Sequence, residues 1–205
     1  MKIYTKSVYT KINNYIQREG LILYFINLGK ENTQSTIDAA IKTAKEKNIK
    51  NIVIASSTGF TFNHIDFTDN SDINFVCVTH SYGYPNPGEN DMPQDKREEL
   101  TQKGVKVLTT SHVLSGAERG ISAKFGGVSP VEIIAQTLRM FGQGTKVCVE
   151  VSTMALDAGL IPYNEPIIAI GGSAHGADTA IILTPAHASK IFDTKIHEII
   201  CKPQL

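Results

Sequence analysis

The chain has no excess of charge of either sign, because 20 lysines and arginines balance 20 aspartates and glutamates among its 205 residues. A surface that binds nucleic acid without sequence preference needs a concentrated positive field. The composition indicates no such field. We therefore expect no nucleic-acid partner.

Long hydrophobic runs are also missing, since the longest apolar segments have the length of a strand rather than of a membrane span. The first six residues, Met-Lys-Ile-Tyr-Thr-Lys, lack the unbroken apolar core of a signal peptide. We expect no membrane partner and a cytoplasmic location. A chain of this length can bury a full core as one domain.

Cysteines are few and far apart. Cys77, Cys148 and Cys201 are odd in number and form no CxxC pair or Cys/His cluster. This pattern predicts free thiols in a reducing compartment and no metal site.

Turning to what is present, residues 1–20 are polar and are interpreted as an N-terminal extension, with residues 21–205 as a single domain. Helical spacing through Val8, Ile12, Tyr15 and Ile16 suggests a helix in the extension that ends at Gly20. In the domain, strands are expected at residues 21–25, 52–55, 75–78, 105–108, 166–170 and 180–183, and helices at 33–47, 93–104 and 130–141. Alternating strands and helices predict a three-layer α/β/α sandwich with a mostly parallel sheet.

Two segments between these elements are harder to assign. Residues 146–151 alternate like a strand, whereas residues 152–160 continue with a helical pattern. Residues 109–129 are expected to form a long connection. It ends at Ser129, which with Pro130 and Glu132 forms a capping-box signature for the next helix.

Two loops rich in hydroxyls and glycine follow predicted strands, at residues 55–61 and 171–179. Their backbone N–H groups and hydroxyls can bind an oxyanion such as phosphate. A helix-capping turn and a long hairpin tip are the structural alternatives. The carboxyl ends of parallel strands share one edge of a sheet, so we expect the loops to meet. The candidate ligand-binding residues in them are Ser56, Ser57, Thr58, Gly59, Phe60, Thr61, Gly171, Gly172, Ser173, His175, Gly176, Ala177, Asp178 and Thr179.

Further candidates are expected near the same edge. His80, His112 and His175 can donate to a ligand oxygen or transfer a proton, although a single histidine is more often structural. Tyr82, with its neighbour Tyr84, can stack on a planar ring or pack the loop. Asp178 can cap its loop instead of contacting the ligand, because a carboxylate repels phosphate. Arg119 in the long connection is interpreted as a loop anchor or an anion-binding residue.

The order of elements over residues 30–184 resembles the C-terminal, effector-binding domain of pyruvate kinases. The Ser-Thr-Gly-x-Thr turn at 57–61 and the Pro-Ile-Ile-Ala-Ile strand at 166–170 carry this resemblance. In those enzymes the two loops hold the phosphates of a sugar bisphosphate effector, which implies phosphate binding by residues 56–61 and 171–179 here. No segment resembles the catalytic barrel, so pyruvate kinase activity is not implied.

Longer motifs resemble a family of stand-alone, uncharacterised proteins with this domain, mostly archaeal and bacterial. They lie at residues 31–33, 79–80, 114–116, 125–133, 138–141, 158–162 and 176–180. The resemblance implies a mixed five-stranded sheet of order 3-2-1-4-5 with the last strand antiparallel, and a helix at 147–159. Phe60 and Phe62 depart from the family pattern, which has a polar residue and an alanine there.

These observations favour a domain that binds or senses a phosphorylated small molecule. FMN or another phosphorylated nucleotide is the candidate cofactor, and a sugar phosphate is the alternative ligand. The alternative function is an enzyme acting on a phosphorylated metabolite with a histidine acid or base, although the sequence shows no nucleophile–base pair or Walker lysine motif. A structural oligomerisation domain is the third hypothesis, and the apolar helix at 133–141 offers a face for a homo-oligomer.

Overall fold

A computed structural model describes residues 10–12, 15–17 and 22–204 of the chain. The strands in these residues are β1 (Thr10–Ile12), β2 (Tyr15–Gln17), β3 (Leu23–Phe25), β4 (Asn51–Ala55), β5 (Asn74–Val78), β6 (Lys106–Leu108), β7 (Ile167–Gly171), β8 (Thr179–Thr184) and β9 (Lys195–Pro203). The helices are α1 (Thr33–Lys47), α2 (Gln94–Gln102), α3 (Ala117–Phe125), α4 (Pro130–Arg139) and α5 (Gln143–Asp157). Short 3-10 helices cover Lys30–Asn32, Phe60–His64 and Ala188–Asp193.

The centre of the sheet has the expected topology. Strands β6, β5, β4, β7 and β8 are neighbours in that order, which is 3-2-1-4-5 by position in the chain. Strand β4 pairs in parallel with both β5 and β7, and β8 runs antiparallel to β7. For these five strands, the prediction of a mostly parallel arrangement with a reversed fifth strand is confirmed.

The expected number of five strands is wrong, because in the described residues the sheet has nine strands and continues past β8. Strand β9 pairs antiparallel with β8, from Ala180 opposite Cys201 to Thr184 opposite Lys195. Strand β3 then pairs in parallel with β9. The sequence did not predict β9. Its first four residues are exposed and only its second half joins the core, so it lacks the apolar pattern of a buried strand.

The predicted helix in the N-terminal extension is also wrong over the part that the structure describes. Ile12 lies in β1, and Tyr15 and Ile16 lie in β2, which pairs antiparallel with β3. Pairing with an existing strand edge outweighs a weak local preference for helix. Val8 and Gly20, which the same prediction used, lie outside the described residues.

The sheet is covered on both faces, which confirms the three-layer sandwich. Successive residues of a strand point to opposite faces, so Ile52 and Ile54 of β4 join the core beneath α1, whereas Val53 joins the core beneath α5. Helix α1 contributes Ile37, Ala40 and Ala44 to the first core. The ambiguous segment 146–151 lies in α5, so the helix that the resemblance implied at 147–159 is confirmed, and it is buried along most of its length.

The connection at residues 109–129 contains a helix that the sequence did not predict. Helix α3 has no buried residue, so no apolar stripe marks it against a core. Helix α4 begins at Pro130 as expected, and the Glu132 carboxylate accepts the Ser129 N–H at 2.8 Å. No helix within the described ranges is long and apolar enough to cross a membrane.

Candidate functional site

The first hydroxyl-rich loop leaves β4 and turns into the 3-10 helix Phe60–His64. The Ser56 N–H donates to the Val78 carbonyl oxygen at 3.0 Å, which extends the β4–β5 pairing into the loop. Gly59 adopts a φ of 82°, and a Cβ atom there would lie 2.7 Å from Cγ of Lys96. The loop therefore turns directly above the Lys96 side chain and needs glycine at this position.

Lys96 is itself held in place by two partners. Its Nζ donates to Oδ1 of Asn63 at 2.7 Å and to Oε2 of Glu99 at 2.8 Å. Hydrogen bonds from Lys103 and Lys96 lower the pKa of Glu99 to about 2. A lowered pKa stabilises the fold above the usual glutamate range, and this contribution is lost only as the pH falls toward 2. The support under the first loop thus persists through the neutral range.

The second loop connects β7 to β8 and is organised around the fully buried Asp178. The Asp178 carboxylate accepts the N–H of Gly29 at 2.8 Å, the N–H of Ser173 at 3.1 Å and the Thr179 hydroxyl at 2.8 Å. These bonds join the hairpin loop to the turn that precedes α1. Asp178 therefore holds the loop together, which agrees with the alternative that it caps the loop.

The two loops face one cleft of about 900 Å³ at the carboxyl edge of the sheet. Many of the residues predicted for the site line it, namely Ser56, Ser57, Thr58, Phe60, Thr61, His80, His112, Gly172, His175 and Gly176. The meeting of the loops follows from the parallel arrangement of β4 and β7, which places both carboxyl ends at one edge.

The structure does not bring the other predicted residues to the cleft: Gly59, Tyr82, Gly171, Ser173, Ala177, Asp178 and Thr179. Gly59 forms the turn over Lys96, and the Tyr82 hydroxyl donates to the Gly88 carbonyl oxygen at 2.5 Å in an exposed loop. Gly171, Ser173, Ala177, Asp178 and Thr179 determine the conformation of the second loop instead of lining the cleft. A Cβ atom on Gly171, for example, would lie 2.7 Å from the carbonyl oxygen of Gly144 on α5.

Four positively charged side chains line the cleft, and apart from Arg119 they were not predicted: Lys30, Arg119, Arg139 and Lys146. Lys30 lies with Nζ 4.4 Å from the centre of the Phe60 ring. Among the described residues, no carboxylate lies within 4.0 Å of the charged groups of Lys30, Arg119 or Arg139. Their charge is thus available to an anion in the cleft.

These cations come from separate parts of the chain. Lys30 precedes α1, and Arg139 ends α4 within the motif at residues 138–141. Lys146 lies in a run whose alternation indicates a strand, so nothing local predicted its position. The motif at residues 138–141 contains Arg139, but the segment 133–141 was interpreted as a face for a homo-oligomer.

Of the three histidines that line the cleft, His80 and His112 have ring centres 6.0 Å apart. Nδ1 of His80 lies 2.9 Å from Oδ2 of Asp91. A carboxylate accepts, so Nδ1–H donates and Nε2 is left to bind another group. His112 places Nε2 3.3 Å from the Thr79 carbonyl oxygen and Nδ1 3.9 Å from Oε2 of Glu150.

Lys146 and Glu150 form a buried ion pair on α5 at the wall of the cleft, with side chains only 5% and 3% exposed. The second carboxylate oxygen of Glu150 accepts the Leu114 N–H at 2.9 Å. This pair therefore attaches the loop after β6, including His112, to α5. Glu150 is the one carboxylate among the described residues that line the cleft.

The fold and this pair of loops are shared with a known protein family. The family model described as "Pyruvate kinase, alpha/beta domain" matches residues 34–183. The chain belongs to the pyruvate kinase alpha/beta domain family. Both loops lie inside the matched region, whereas Lys30 precedes it and β9 follows it.

Solved structures similar to this member of the pyruvate kinase alpha/beta domain family include two pyruvate kinases from Cryptosporidium parvum. The first is 15% identical with a TM-score of 0.35, over 67% of this chain and 20% of that chain. The second, in complex with ADP, is 16% identical with a TM-score of 0.36, over 81% of this chain and 23% of that chain. The chain thus spans between 20% and 23% of the length of these enzymes.

Proposed function

We propose that the cleft binds a phosphorylated small molecule. The observation that carries this proposal is the meeting of two hydroxyl-rich loops in a cleft that four cations also line. Among the described residues of the cleft there is a single carboxylate, Glu150, and it is paired with Lys146. Cationic side chains and hydroxyl donors together bind phosphate oxygens with short, charge-assisted hydrogen bonds. The proposal assigns the domain a binding or sensing role without pyruvate kinase activity.

The aromatic side chains of the cleft favour a ligand with a planar ring, such as FMN or another phosphorylated nucleotide. Phe60 and Tyr84 both line the cleft, whereas Phe62 belongs to the core and Tyr82 lies outside the cleft. Ring stacking on such side chains stabilises a bound nucleotide. The volume of about 900 Å³ lies within the range of small-molecule sites. A sugar phosphate remains the second ligand class, because it needs the loops and cations but no ring.

The first experiment is native mass spectrometry of protein purified without added ligand, followed by calorimetric titration with FMN, glucose 6-phosphate and inorganic phosphate. Thr58→Glu adds a carboxylate at an exposed position of the cleft. It should weaken binding of the probe about tenfold or more, which corresponds to about 1.4 kcal/mol.

Thr101→Glu is the matched control, since Thr101 is equally an exposed threonine but lies on α2 outside the cleft. This variant should bind the probe as the unmodified chain does. Equal weakening by both variants, or no binding of any of the three probes, would contradict the proposal.

The paired histidines support a second candidate, an enzyme that transfers protons on a phosphorylated metabolite. His80 is oriented by Asp91, and His112 lies near Glu150, so each imidazole has a carboxylate behind it. Phosphorus and proton NMR of the compound retained in native mass spectrometry would detect its conversion. Turnover that disappears in His80→Gln while binding persists favours the enzyme, and an unchanged compound favours the sensor.

A further inference from the structure

His80 lies between the first hydroxyl-rich loop and the loop that carries His112. Strands β4 and β5 pair in parallel, and the Ser56 N–H continues this pairing at 3.0 Å from the Val78 carbonyl oxygen. His80 follows Val78 by two residues, so neighbouring strands about 5 Å apart bring it beside the loop at residues 56–61. On its other side, its ring centre lies 6.0 Å from that of His112. His80 is thus adjacent to the groups that the proposed function assigns to phosphate.

The His80 ring is held so that one of its nitrogens remains free. Nδ1 lies 2.9 Å from Oδ2 of Asp91, which does not line the cleft, and Tyr84 packs edge-on with ring centres 4.6 Å apart. Because Nδ1–H donates to the carboxylate, the lone pair of the ring is on Nε2. The side chain is 37% exposed, and its residue lines the cleft. An imidazole oriented in this way is a nucleophile, and the carboxylate stabilises the positive charge that the ring gains when Nε2 forms a bond.

Other nucleophilic side chains of the cleft lack such a partner in the described part of the chain. The three cysteines are buried, and none of them lines the cleft. No serine or threonine hydroxyl that lines the cleft bonds to a histidine ring or a carboxylate among the described residues. Lys146 is paired with Glu150, and no described carboxylate orients His175. His80 is therefore the nucleophile that the structure prepares.

We propose that Nε2 of His80 accepts a phosphoryl group from an acyl phosphate, a step that rests on the proposed binding of phosphate in the cleft. The Nε2 lone pair attacks phosphorus, and the N–P bond forms as the P–O bond to the acyl group breaks. The electron pair of that P–O bond leaves with the carboxylate. The ring then carries a positive charge beside Asp91, and Lys30, Arg119 and Arg139 of the same cleft are available to the phosphoryl oxygens.

Hydrolysis of the phosphorylated histidine completes the reaction. Water attacks phosphorus, and the N–P electron pair returns to Nε2. Inorganic phosphate leaves with both hydrogens of the water, so His80 regains its neutral form with the proton still on Nδ1. The sequence of steps needs no other reactant.

The class of the donor follows from the surroundings of His112. Its Nε2 lies 3.3 Å from the Thr79 carbonyl oxygen, and its Nδ1 lies 3.9 Å from Oε2 of Glu150. Both nitrogens of the histidine next to His80 thus face acceptors of the protein itself. A phosphate monoester releases an alkoxide, which needs a proton from a general acid, whereas an acyl phosphate releases a carboxylate, which does not.

Incubation of the full chain with acetyl phosphate, followed by intact-mass measurement and peptide mapping, tests the proposal. One phosphoryl group should be found on His80, in a bond that is labile in acid and stable in alkali. Glucose 6-phosphate, a monoester, should label the chain at least about tenfold more slowly. His80→Gln should lose the label.

His187→Gln is the matched control. Nδ1 of His187 lies 2.7 Å from Oδ1 of Asp157, so this histidine has the same kind of carboxylate partner, but it does not line the cleft. His187→Gln should be labelled as the unmodified chain is. An unlabelled unmodified chain, equal labelling of His80 and His187, or a label that persists in His80→Gln overturns the proposal. Peptide mapping of the unmodified chain decides the matter even if His80→Gln does not fold.

Asp91→Asn tests the positioning role of Asp91, because asparagine removes the negative charge but keeps an oxygen that can accept Nδ1–H. The labelling rate should fall about tenfold or more, while the calorimetric affinity for inorganic phosphate stays unchanged. Asp91→Glu should restore part of the rate. A parallel loss of phosphate affinity in Asp91→Asn would contradict this role and indicate a structural one.

The two proposals fail in distinguishable ways. If inorganic phosphate binds and His80 remains unlabelled by acetyl phosphate, the phosphoryl transfer is wrong and the proposed function stands. If none of FMN, glucose 6-phosphate and inorganic phosphate binds, the proposed function is contradicted whatever the labelling shows.

Discussion

At the scale of single residues, glycines shape the second loop by allowing close contacts as well as unusual backbone angles. Gly176 has a φ of 73°, and a Cβ atom there would lie 2.5 Å from the Thr33 hydroxyl and 2.7 Å from Cα of Lys30. Gly88 has a similar φ of 82° but nothing within 4 Å of such an atom. A side chain at Gly88 would therefore cause backbone strain alone, whereas one at Gly176 would cause both backbone strain and steric clashes.

Gly88→Ala should cost about 1–2 kcal/mol of the free energy of unfolding, since it incurs only the left-handed backbone penalty. Gly176→Ala should cost about 1–3 kcal/mol more, because the turn at Lys30 and the hydroxyl that accepts the Ala177 N–H must move. Urea denaturation of both variants measures the difference. Equal losses would show that the loop tolerates a side chain at Gly176.

The buried ion pair of the cleft wall is the second residue-scale feature with a testable cost. Lys146→Met leaves Glu150 buried without its cation and should destabilise the protein by about 3–5 kcal/mol. The double variant Lys146→Met/Glu150→Gln should recover most of this loss, because glutamine is neutral and can still accept the Leu114 N–H. Chemical denaturation provides both values. A double variant as unstable as the single one would indicate that the two charges are not coupled.

At the scale of elements, one carboxylate on α4 forms hydrogen bonds both to α3 and to the residue that begins α4. Glu132 accepts the Ser122 hydroxyl at 2.6 Å and the Ser129 N–H at 2.8 Å, so it holds α3 on α4. The hydrogen bond from Ser122 and then that from Ser129 lower the pKa of Glu132. This contribution is fully present above the usual glutamate pKa and is lost as the pH falls through the lowered pKa.

We expect Glu132→Gln to speed amide hydrogen exchange in residues 117–125 at neutral pH and to leave the central strands β4 and β7 unchanged. In the unmodified protein the same helix should loosen only at acidic pH, after correction for intrinsic exchange rates. Hydrogen-exchange mass spectrometry reports both effects. Unchanged protection of α3 in Glu132→Gln would mean that apolar contacts alone hold it.

At the scale of the whole molecule, the three cysteines report on the sheet and on the helical layer that contains α5. Cys77 lies in β5, Cys148 in α5 and Cys201 in β9, and all three are free and buried. Burial raises the pKa of Cys77 and of Cys201 to about 12, and it raises the pKa of Cys148 well above its usual value. The reactive thiolate is therefore suppressed at each position.

Labelling with iodoacetamide at pH 8 should be negligible in the folded protein, and the three thiols should become reactive together in urea. Mass spectrometry of the labelled chain counts the modified cysteines at each denaturant concentration. Early modification of Cys201 alone would show that β9 opens before the central sheet, which contradicts a single cooperative unit.

Much of the fold and part of the candidate site follow from local patterns. Helix α1 matches the predicted residues 33–47, since an apolar stripe, a start at Thr33 and terminal lysines agree on one element. Strands β4 and β7 and the loops after them were also predicted, because a buried strand is a short run bounded by turn residues. The sequence did not predict α3, whose apolar face meets no core.

The sequence by itself determined the α/β class, the central strand order through its family resemblance, and the loops that leave β4 and β7. Only the tertiary structure decided that β9 extends the sheet, that Lys146 is buried in α5, and that Lys30, Arg119 and Arg139 line one cleft. The physical reason is the distance along the chain over which each effect acts. Propensity and periodicity act over a few neighbouring residues, whereas strand-edge pairing, ion-pair burial and the convergence of charges depend on segments far apart in the chain.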